Sequence, residues 1–179
     1  DVGLNAVGQQ AACSWRLPVD ASEWFVSPLS RAQQTAAAMA ADPVTVIPAL
    51  TEMNWGVWEG QSLAQLRAQL GDAMRINEDA GLDFRPDAGE SPREVQARLR
   101  EWYLTLDRTG PDVAVVTHKG VIRALLAEAS GWDMRGKSPG RWQFDGFAHA
   151  VCIDSSGALS VGTINLSLQG PFGAGSAAS

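Results

Sequence analysis

Residues 112–126, DVAVVTHKGVIRALL, decide the fold. Residues 113–116 are an unbroken apolar run, typical of a parallel strand covered on both faces, and apolar residues at helical spacing follow. His118, Lys119 and Gly120 stand at the junction. In an open α/β sheet this edge binds ligands, and a helix start offers free N–H groups and a positive dipole end to an anion. His118 is therefore a candidate anion-binding residue, although a lone histidine at this position is better explained as a helix cap or as a partner of a backbone carbonyl.

Two other charged residues follow predicted strands in the same way. Residues 24–26 form a short strand, and Ser27-Pro28 then predicts a helix start, with Ser as N-cap and Pro at the first helical position. This start puts Arg31 in the first turn of the helix. Residues 44–47 form a second β-rich run, and Glu52 follows it closely.

The carboxyl ends of parallel strands meet at one rim, so Arg31, Glu52 and His118 are expected together. A guanidinium binds phosphate or carboxylate in a bidentate manner, an imidazole at a helix start can join it, and a nearby carboxylic acid can move a proton. Each residue alone has an ordinary explanation, as an exposed helix charge, a turn carboxylate or a cap. Together they indicate an anionic substrate and acid catalysis.

Capping signals and periodicity predict the other elements. Asn5 caps a first helix that runs to about Trp15, and Gly131 ends the helix that follows His118. A capping box at Ser62 predicts a second amphipathic helix, whose inward-facing residues are Leu63, Leu66, Leu70 and Met74. Residues 77–90 are predicted to form a surface loop or lid. Residues 91–94 signal another helix start, with Val95, Leu99, Trp102, Tyr103 and Leu106 facing inward, and a hairpin is predicted around residues 154–157.

Strands alternate with helices up to residue 131, which predicts an α/β three-layer sandwich. We expect a mainly parallel sheet with helices on both faces and an antiparallel edge hairpin. Residues 1–169 are predicted to form a single domain, and residues 170–179 a flexible tail.

Composition narrows the functional classes. The chain has 179 residues, a formal net charge of −6 and 45% hydrophobic residues. An acidic balance disfavours a nucleic-acid or anionic-membrane binder, and the sequence has no membrane-length apolar run. Cys13 and Cys152 stand far apart and are interpreted as small buried residues of a protein from a reducing compartment. We therefore expect a cytoplasmic protein; its oligomeric state, homodimer included, is left open.

Residues 131–138, GWDMRGKS, match the phosphate-loop pattern GxxxxGK[ST]. Such a loop must follow a strand and open a helix, whereas this one follows a predicted helix and leads into Pro139-Gly140. We interpret it as a helix C-cap and a basic loop.

Five stretches, in order, resemble the motifs of the histidine phosphatase superfamily, the phosphoglycerate-mutase-like proteins. They are 1–11 (DVGLNAVGQQA, similar to DxPLTxxGxxQA), 27–36 (SPLSRAQQTA, similar to SPLxRAxQTA), 50–60 (LTEMNWGVWEG, similar to LxExxxGxWEG), 89–91 (GES) and 116–120 (VTHKG, similar to VSHGG).

The resemblance implies a covalent mechanism without metal or cofactor, acting on a small phosphorylated substrate. By motif match, Arg31 and His118 clamp the phosphoryl oxygens and Glu52 protonates the leaving oxygen. Lys119 departs from the motif, where a Gly stands; its position at the start of a helix, not the resemblance, makes it a candidate phosphate-binding charge. The family's nucleophile is a histidine in an Arg-His-Gly motif just before the segment that residues 1–11 match. That motif is absent here, and His149 is interpreted as structural. We therefore expect the first strand to be missing from this chain, which alone should turn over little.

Compactness favours a phosphatase acting on a small phosphomonoester. The alternatives are a phosphoglycerate mutase-type phosphotransferase and a non-catalytic phosphate-binding module. Residues 55–90 are expected to line the mouth of the site, where Trp58, Arg67, Arg75 or Arg85 would select substrate. Taken singly, each of these four is better explained as an ordinary surface or packing residue.

Overall fold

The structure is a computed structural model that describes residues 1–169. Its six helices within this range are α1 (Ala6–Ser14), α2 (Ser30–Ala38), α3 (Leu63–Leu70), α4 (Asp72–Glu78), α5 (Pro92–Tyr103) and α6 (Lys119–Ser130). Its seven strands are β1 (Glu23–Val26), β2 (Val44–Val46), β3 (Val113–Val116), β4 (Phe147–Ala148), β5 (Val151–Ile153), β6 (Leu159–Val161) and β7 (Leu166–Ser167).

The central sheet is parallel, in the order β2-β1-β3. Phe25 of β1 lies opposite Thr45 on one side and Val115 on the other. Within residues 1–169, β3 pairs with β1 alone, and Val115 is 41% exposed. The second edge of β3 thus offers backbone hydrogen-bonding groups that no described strand uses.

Helices cover both faces of this sheet. Alternation along β1 sends Phe25 into a cluster with Val95 of α5 and Val121 of α6, and sends Val26 to the opposite face, against Ala32 and Ala36 of α2. The β5-β6 hairpin and the β4-β7 pair are antiparallel. The predicted three-layer α/β sandwich, with its antiparallel hairpin, is confirmed.

The predicted start of α2 is wrong by two residues. The helix begins at Ser30, with Leu29 in the N-cap position. The Ser27 hydroxyl is used elsewhere, because it bonds the His118 ring and accepts the Leu29 N–H at 3.3 Å. Instead, the Asp1 carboxylate accepts from the backbone N–H of Ser30 at 2.9 Å and so caps the helix from a distant part of the chain.

The helix predicted after Ser62 is two helices. The capping box is present, but Gly71, with φ +52° and ψ −122°, separates α3 from α4. Leu66 and Met74 are buried as predicted, whereas Leu63 and Leu70 are largely exposed. Of the three leucines in α3, only Leu66 therefore reaches the core.

The segment predicted as a loop at 77–90 contains the end of α4 and a short 3-10 turn over Gly81–Asp83. Ion pairs fix it to α5: Arg93 contacts Asp83 at 2.6 Å and Arg85 contacts Glu94 at 2.9 Å.

The start of α5 is as predicted, with both halves of the capping box formed. Val95, Leu99 and Tyr103 are buried in the core, and Trp102 and Leu106 pack against it. The predicted first helix also forms, with the Asn5 side chain accepting from Gly8 N–H at 2.8 Å.

The interpretation of the cysteines as buried is wrong, since Cys13 and Cys152 are both exposed. On β5, alternation turns Cys152 outward while its two neighbours are half-buried. The predicted tail, 170–179, lies outside the described residues. Among the helices of the described part, none is both long and apolar enough to cross a bilayer.

Candidate active site

The candidate site lies where β1 and β3 end. Arg31 is in the first turn of α2, just after β1, and His118 is the N-cap of α6, directly after β3. Glu52 follows a 3-10 turn over Pro48–Leu50 that continues from β2. The topology thus brings the three predicted residues to one rim of the sheet.

His118 is buried, with 6% of its surface exposed. Its Nε2 atom lies 2.7 Å from the hydroxyl oxygen of Ser27, which is itself fully buried. Burial first, and then the positive charges of Arg31 and Arg98, lowers the pKa of His118 to about 4. The imidazole is therefore neutral at neutral pH when no anion is bound.

Glu52 is fixed against the start of α6. Its Oε1 atom accepts the Met53 N–H at 2.9 Å, and its carboxylate accepts from the N–H of Gly120. Burial raises the pKa of Glu52, against the opposing effect of these hydrogen bonds and of Arg31 and Arg98. A Cβ on Gly120 would lie 2.5 Å from this oxygen, so the approach requires glycine.

Arg31 acts electrostatically on both neighbours, lowering the pKa of Glu52 and that of His118. Lys119 is not among the charges that shift either pKa. Its Nζ atom lies 5.2 Å from the centroid of the Phe144 ring, in a cation–π arrangement. The structure therefore groups Arg31, Glu52 and His118 and gives Lys119 a separate contact.

Arg98 of α5 supplies the second positive charge, which the sequence interpretation missed. Its guanidinium donates to the carbonyl oxygens of Ala49 and Thr51, the latter at 2.8 Å, and pairs with Glu90 at 2.7 Å and 3.0 Å. Arg98 therefore holds the turn that directly precedes Glu52. A signal was present in the sequence, because Arg98 lies three residues after Val95 on the inward stripe, where a charge needs a partner.

The four candidate residues of the mouth differ in their contacts. Trp58 packs on Phe84, with ring centroids 5.8 Å apart. Arg67 pairs with Glu78 and Arg75 with Asp72 and Asp79, all on the α3–α4 surface. Arg85 alone of the four lines the cleft of about 440 Å³ that borders Glu52.

The other histidine, His149, is held by the chain around it. Its Nε2 lies 2.8 Å from the carbonyl oxygen of Gln143, and its Nδ1 faces the Asn165 N–H at 3.4 Å. Residues 131–138 follow α6, whose C-cap is the left-handed Gly131, rather than a strand. Neither feature joins the rim of Arg31, Glu52 and His118.

Comparison with known proteins identifies the class. Residues 1–149 match the model of the histidine phosphatase superfamily (branch 1), so the chain belongs to this superfamily, as its motifs predict.

Individual relatives are phosphatases and mutases. The chain is 33% identical over 117 residues to a 2,3-bisphosphoglycerate-dependent phosphoglycerate mutase of Methylobacterium radiotolerans, covering 60% of this chain and 55% of the relative. It is 32% identical over 107 residues to a 6-phosphofructo-2-kinase/fructose-2,6-bisphosphatase of Arabidopsis thaliana, covering 60% of this chain and 14% of the relative. The chain thus spans little more than half of the first of these relatives and a small part of the second.

A similar solved structure is that of mycobacterial glucosyl-3-phosphoglycerate phosphatase. It shares 26% identity with this chain, with a TM-score of 0.59, and the match covers 74% of this chain and 72% of that one.

Proposed function

We propose that this chain forms the phosphoryl-binding and proton-donating part of a phosphatase that hydrolyses a small phosphomonoester. The observation that carries the proposal is the position of a half-buried carboxyl, Glu52, beside the N-terminus of α6, within the electrostatic reach of Arg31. In the proposal, Arg31 and His118 bind the phosphoryl oxygens, and Glu52 protonates the leaving oxygen. Lys119 is proposed as a further phosphate-binding charge that would have to leave Phe144.

The electrostatics support these roles. A raised pKa favours the protonated form of Glu52, and an arriving phosphoryl dianion raises that pKa further. The same dianion favours the charged form of His118, whose pKa is otherwise lowered by burial and by Arg31 and Arg98. Phosphoryl transfer depends mostly on such positioning and charge stabilisation.

The proposed nucleophile is a histidine that residues 1–179 do not contain. Its imidazole would attack phosphorus, the bond to the leaving oxygen would break with a proton from Glu52, and water would then hydrolyse the phosphohistidine. His149 is a poor candidate because both of its ring nitrogens face backbone groups. The edge of β3 that pairs with no strand of residues 1–169 lies close to His118 and supports insertion of a further strand that carries the nucleophile.

The test is hydrolysis of p-nitrophenyl phosphate, with EDTA present, by the protein made from its complete coding sequence. We expect metal-independent turnover that is lost in His118→Ala and retained in the matched control His149→Ala. An acid-labile phosphoprotein intermediate should accumulate in a rapid quench.

Two rival functions have their own outcomes. The identity to a phosphoglycerate mutase favours re-transfer of the phosphoryl group, which would appear as phosphoryl exchange between phosphoglycerates without release of phosphate. Retained phosphate binding with no turnover by the complete protein would favour a non-catalytic module and contradict the proposed phosphatase.

A further inference from the structure

Of the three candidate site residues, Glu52 lines the cleft, and we take this cleft as the space into which the leaving group of the proposed reaction extends. Its wall includes Thr51, Asn54, Arg85, Glu90, Glu94 and Arg98. A proton donated by Glu52 goes to the leaving oxygen, so the group attached to that oxygen lies on the Glu52 side of the phosphoryl site. The charges of this wall therefore bear on which leaving group is accepted.

Both cations of the cleft are already engaged. Arg98 contacts both carboxylate oxygens of Glu90 and the carbonyl of Thr51, with each side chain of the ion pair less than one quarter exposed. Arg85 pairs with Glu94 at 2.9 Å and donates from Nε to the Gly89 carbonyl at 3.1 Å. A second anion on the substrate would have to displace a carboxylate from one of these arginines.

Glu94 is held in place independently of Arg85. Its Oε2 atom accepts the Ser91 N–H at 2.8 Å and the Ser91 hydroxyl at 3.0 Å, as the second half of the α5 capping box. These hydrogen bonds, and then Arg85, lower the pKa of Glu94, so it stays charged at neutral pH. Each arginine of the lining thus has a carboxylate partner of its own, Glu90 for Arg98 and Glu94 for Arg85.

We propose that this cleft accepts a neutral, hydroxyl-bearing leaving group, such as a polyol or sugar, and discriminates against a leaving group that carries a second anion. The inference rests on the proposed function, because it uses Glu52 to define the side on which the leaving group lies. Hydroxyl groups of such a ligand find the carboxylate oxygens of the cleft wall as acceptors, whereas a carboxylate meets like charge.

The experiment compares two probes that differ only at the far end. Glycerol 3-phosphate ends in a hydroxymethyl group, and 3-phosphoglycerate ends in a carboxylate. Dissociation constants for inorganic phosphate and for both probes are measured by NMR titration of the chain. We expect glycerol 3-phosphate to bind at least about fivefold more tightly than 3-phosphoglycerate, a ratio of the size that a single charge contact supplies.

The diagnostic variant is Glu94→Gln, since glutamine keeps the capping box while Arg85 loses its charged partner. The ratio should fall towards one or below. The matched control is Asp83→Asn, which removes the charged partner of Arg93 outside the cleft and should leave the ratio unchanged. Equal or tighter binding of 3-phosphoglycerate by the unmodified chain would overturn the inference, as would an unchanged ratio in Glu94→Gln.

Inorganic phosphate separates this failure from that of the proposed function. If inorganic phosphate binds and His118→Ala weakens this binding, the proposed phosphoryl site is supported, whatever the ratio of the two probes' dissociation constants. If phosphate does not bind, or binds independently of His118, the proposed function fails and the inference fails with it.

Discussion

Replacing Arg98 by methionine tests whether the turn that carries Glu52 is held as described. Methionine keeps most of the length of the side chain but removes the guanidinium. The change leaves the Glu90 carboxylate without its ion-pair partner and removes the donor to the carbonyls of Ala49 and Thr51. Breaking a buried ion pair from one side typically costs about 3–5 kcal/mol, and we take about 3 because Arg98 and Glu90 are 23% and 20% exposed.

Urea unfolding measures this loss. With a slope of about 2 kcal/mol per molar urea, a loss of about 3 kcal/mol lowers the midpoint by roughly 1.5 M. Arg93→Met is the matched control from the same helix, because its ion pair with Asp83 has both side chains 58% exposed. Its midpoint should stay close to that of the unmodified protein.

A double variant, Arg98→Met with Glu90→Gln, should recover part of the stability, because it no longer buries an unpaired charge. The reasoning is refuted if Arg98→Met shifts the midpoint no more than Arg93→Met does. It is also refuted if the double variant is less stable than Arg98→Met alone.

Three further predictions concern titration and close approach. Because the pKa of His118 is about 4 when folded and 6.5 in the unfolded reference, the unfolded chain binds the extra proton between these values. The free energy of unfolding should therefore fall as pH drops from 6.5 to 4. Measured by urea unfolding at each pH, this fall should be steeper than in His118→Gln by up to about 1.4 kcal/mol per pH unit. Gly56→Ala should lower the free energy of unfolding, measured in urea, by more than about 2 kcal/mol, because its Cβ would lie 2.1 Å from a facing carbonyl oxygen. Gly60→Ala has open space around its Cβ and should lower it by only about 1 kcal/mol, the cost of a positive φ. Equal losses in the two variants would contradict this prediction. Gly120→Ala should displace Glu52 and lower p-nitrophenyl phosphate turnover by the complete protein about tenfold or more while stability changes little; unchanged turnover would contradict it.

The strand–helix junctions were predictable from the sequence because local signals and tertiary contacts agree there. The apolar run of residues 113–116 forms β3, and the residues at helical spacing after His118 form α6, as predicted. The capping box at Ser91 likewise begins α5. The start of α2 could not be predicted in this way, because the hydrogen bonds that determine it involve Asp1 and His118, which are distant in sequence. The interruption at Gly71 was missed because apolar periodicity continues across it.

The residues of the candidate site likewise include some that the sequence predicts and some that it does not. Arg31, Glu52 and His118 follow strands, so the direction of a parallel sheet is enough to predict that they meet. Arg98 lies in mid-helix and reaches the site through carbonyl oxygens of the chain, which no spacing rule reports. Lys119 follows His118 directly, yet its contact is with Phe144, because adjacent residues at a helix start point in different directions.

The open edge of β3 has a practical consequence for work with this polypeptide. An unpaired strand edge with an exposed valine is a template for intermolecular pairing. Residues 113–116 contain no charged residue or proline, which commonly protect such edges. Because no strand within residues 1–169 covers this edge, we expect preparations of this polypeptide to aggregate more as their concentration rises. A lysine in place of Val115 should keep them dispersed.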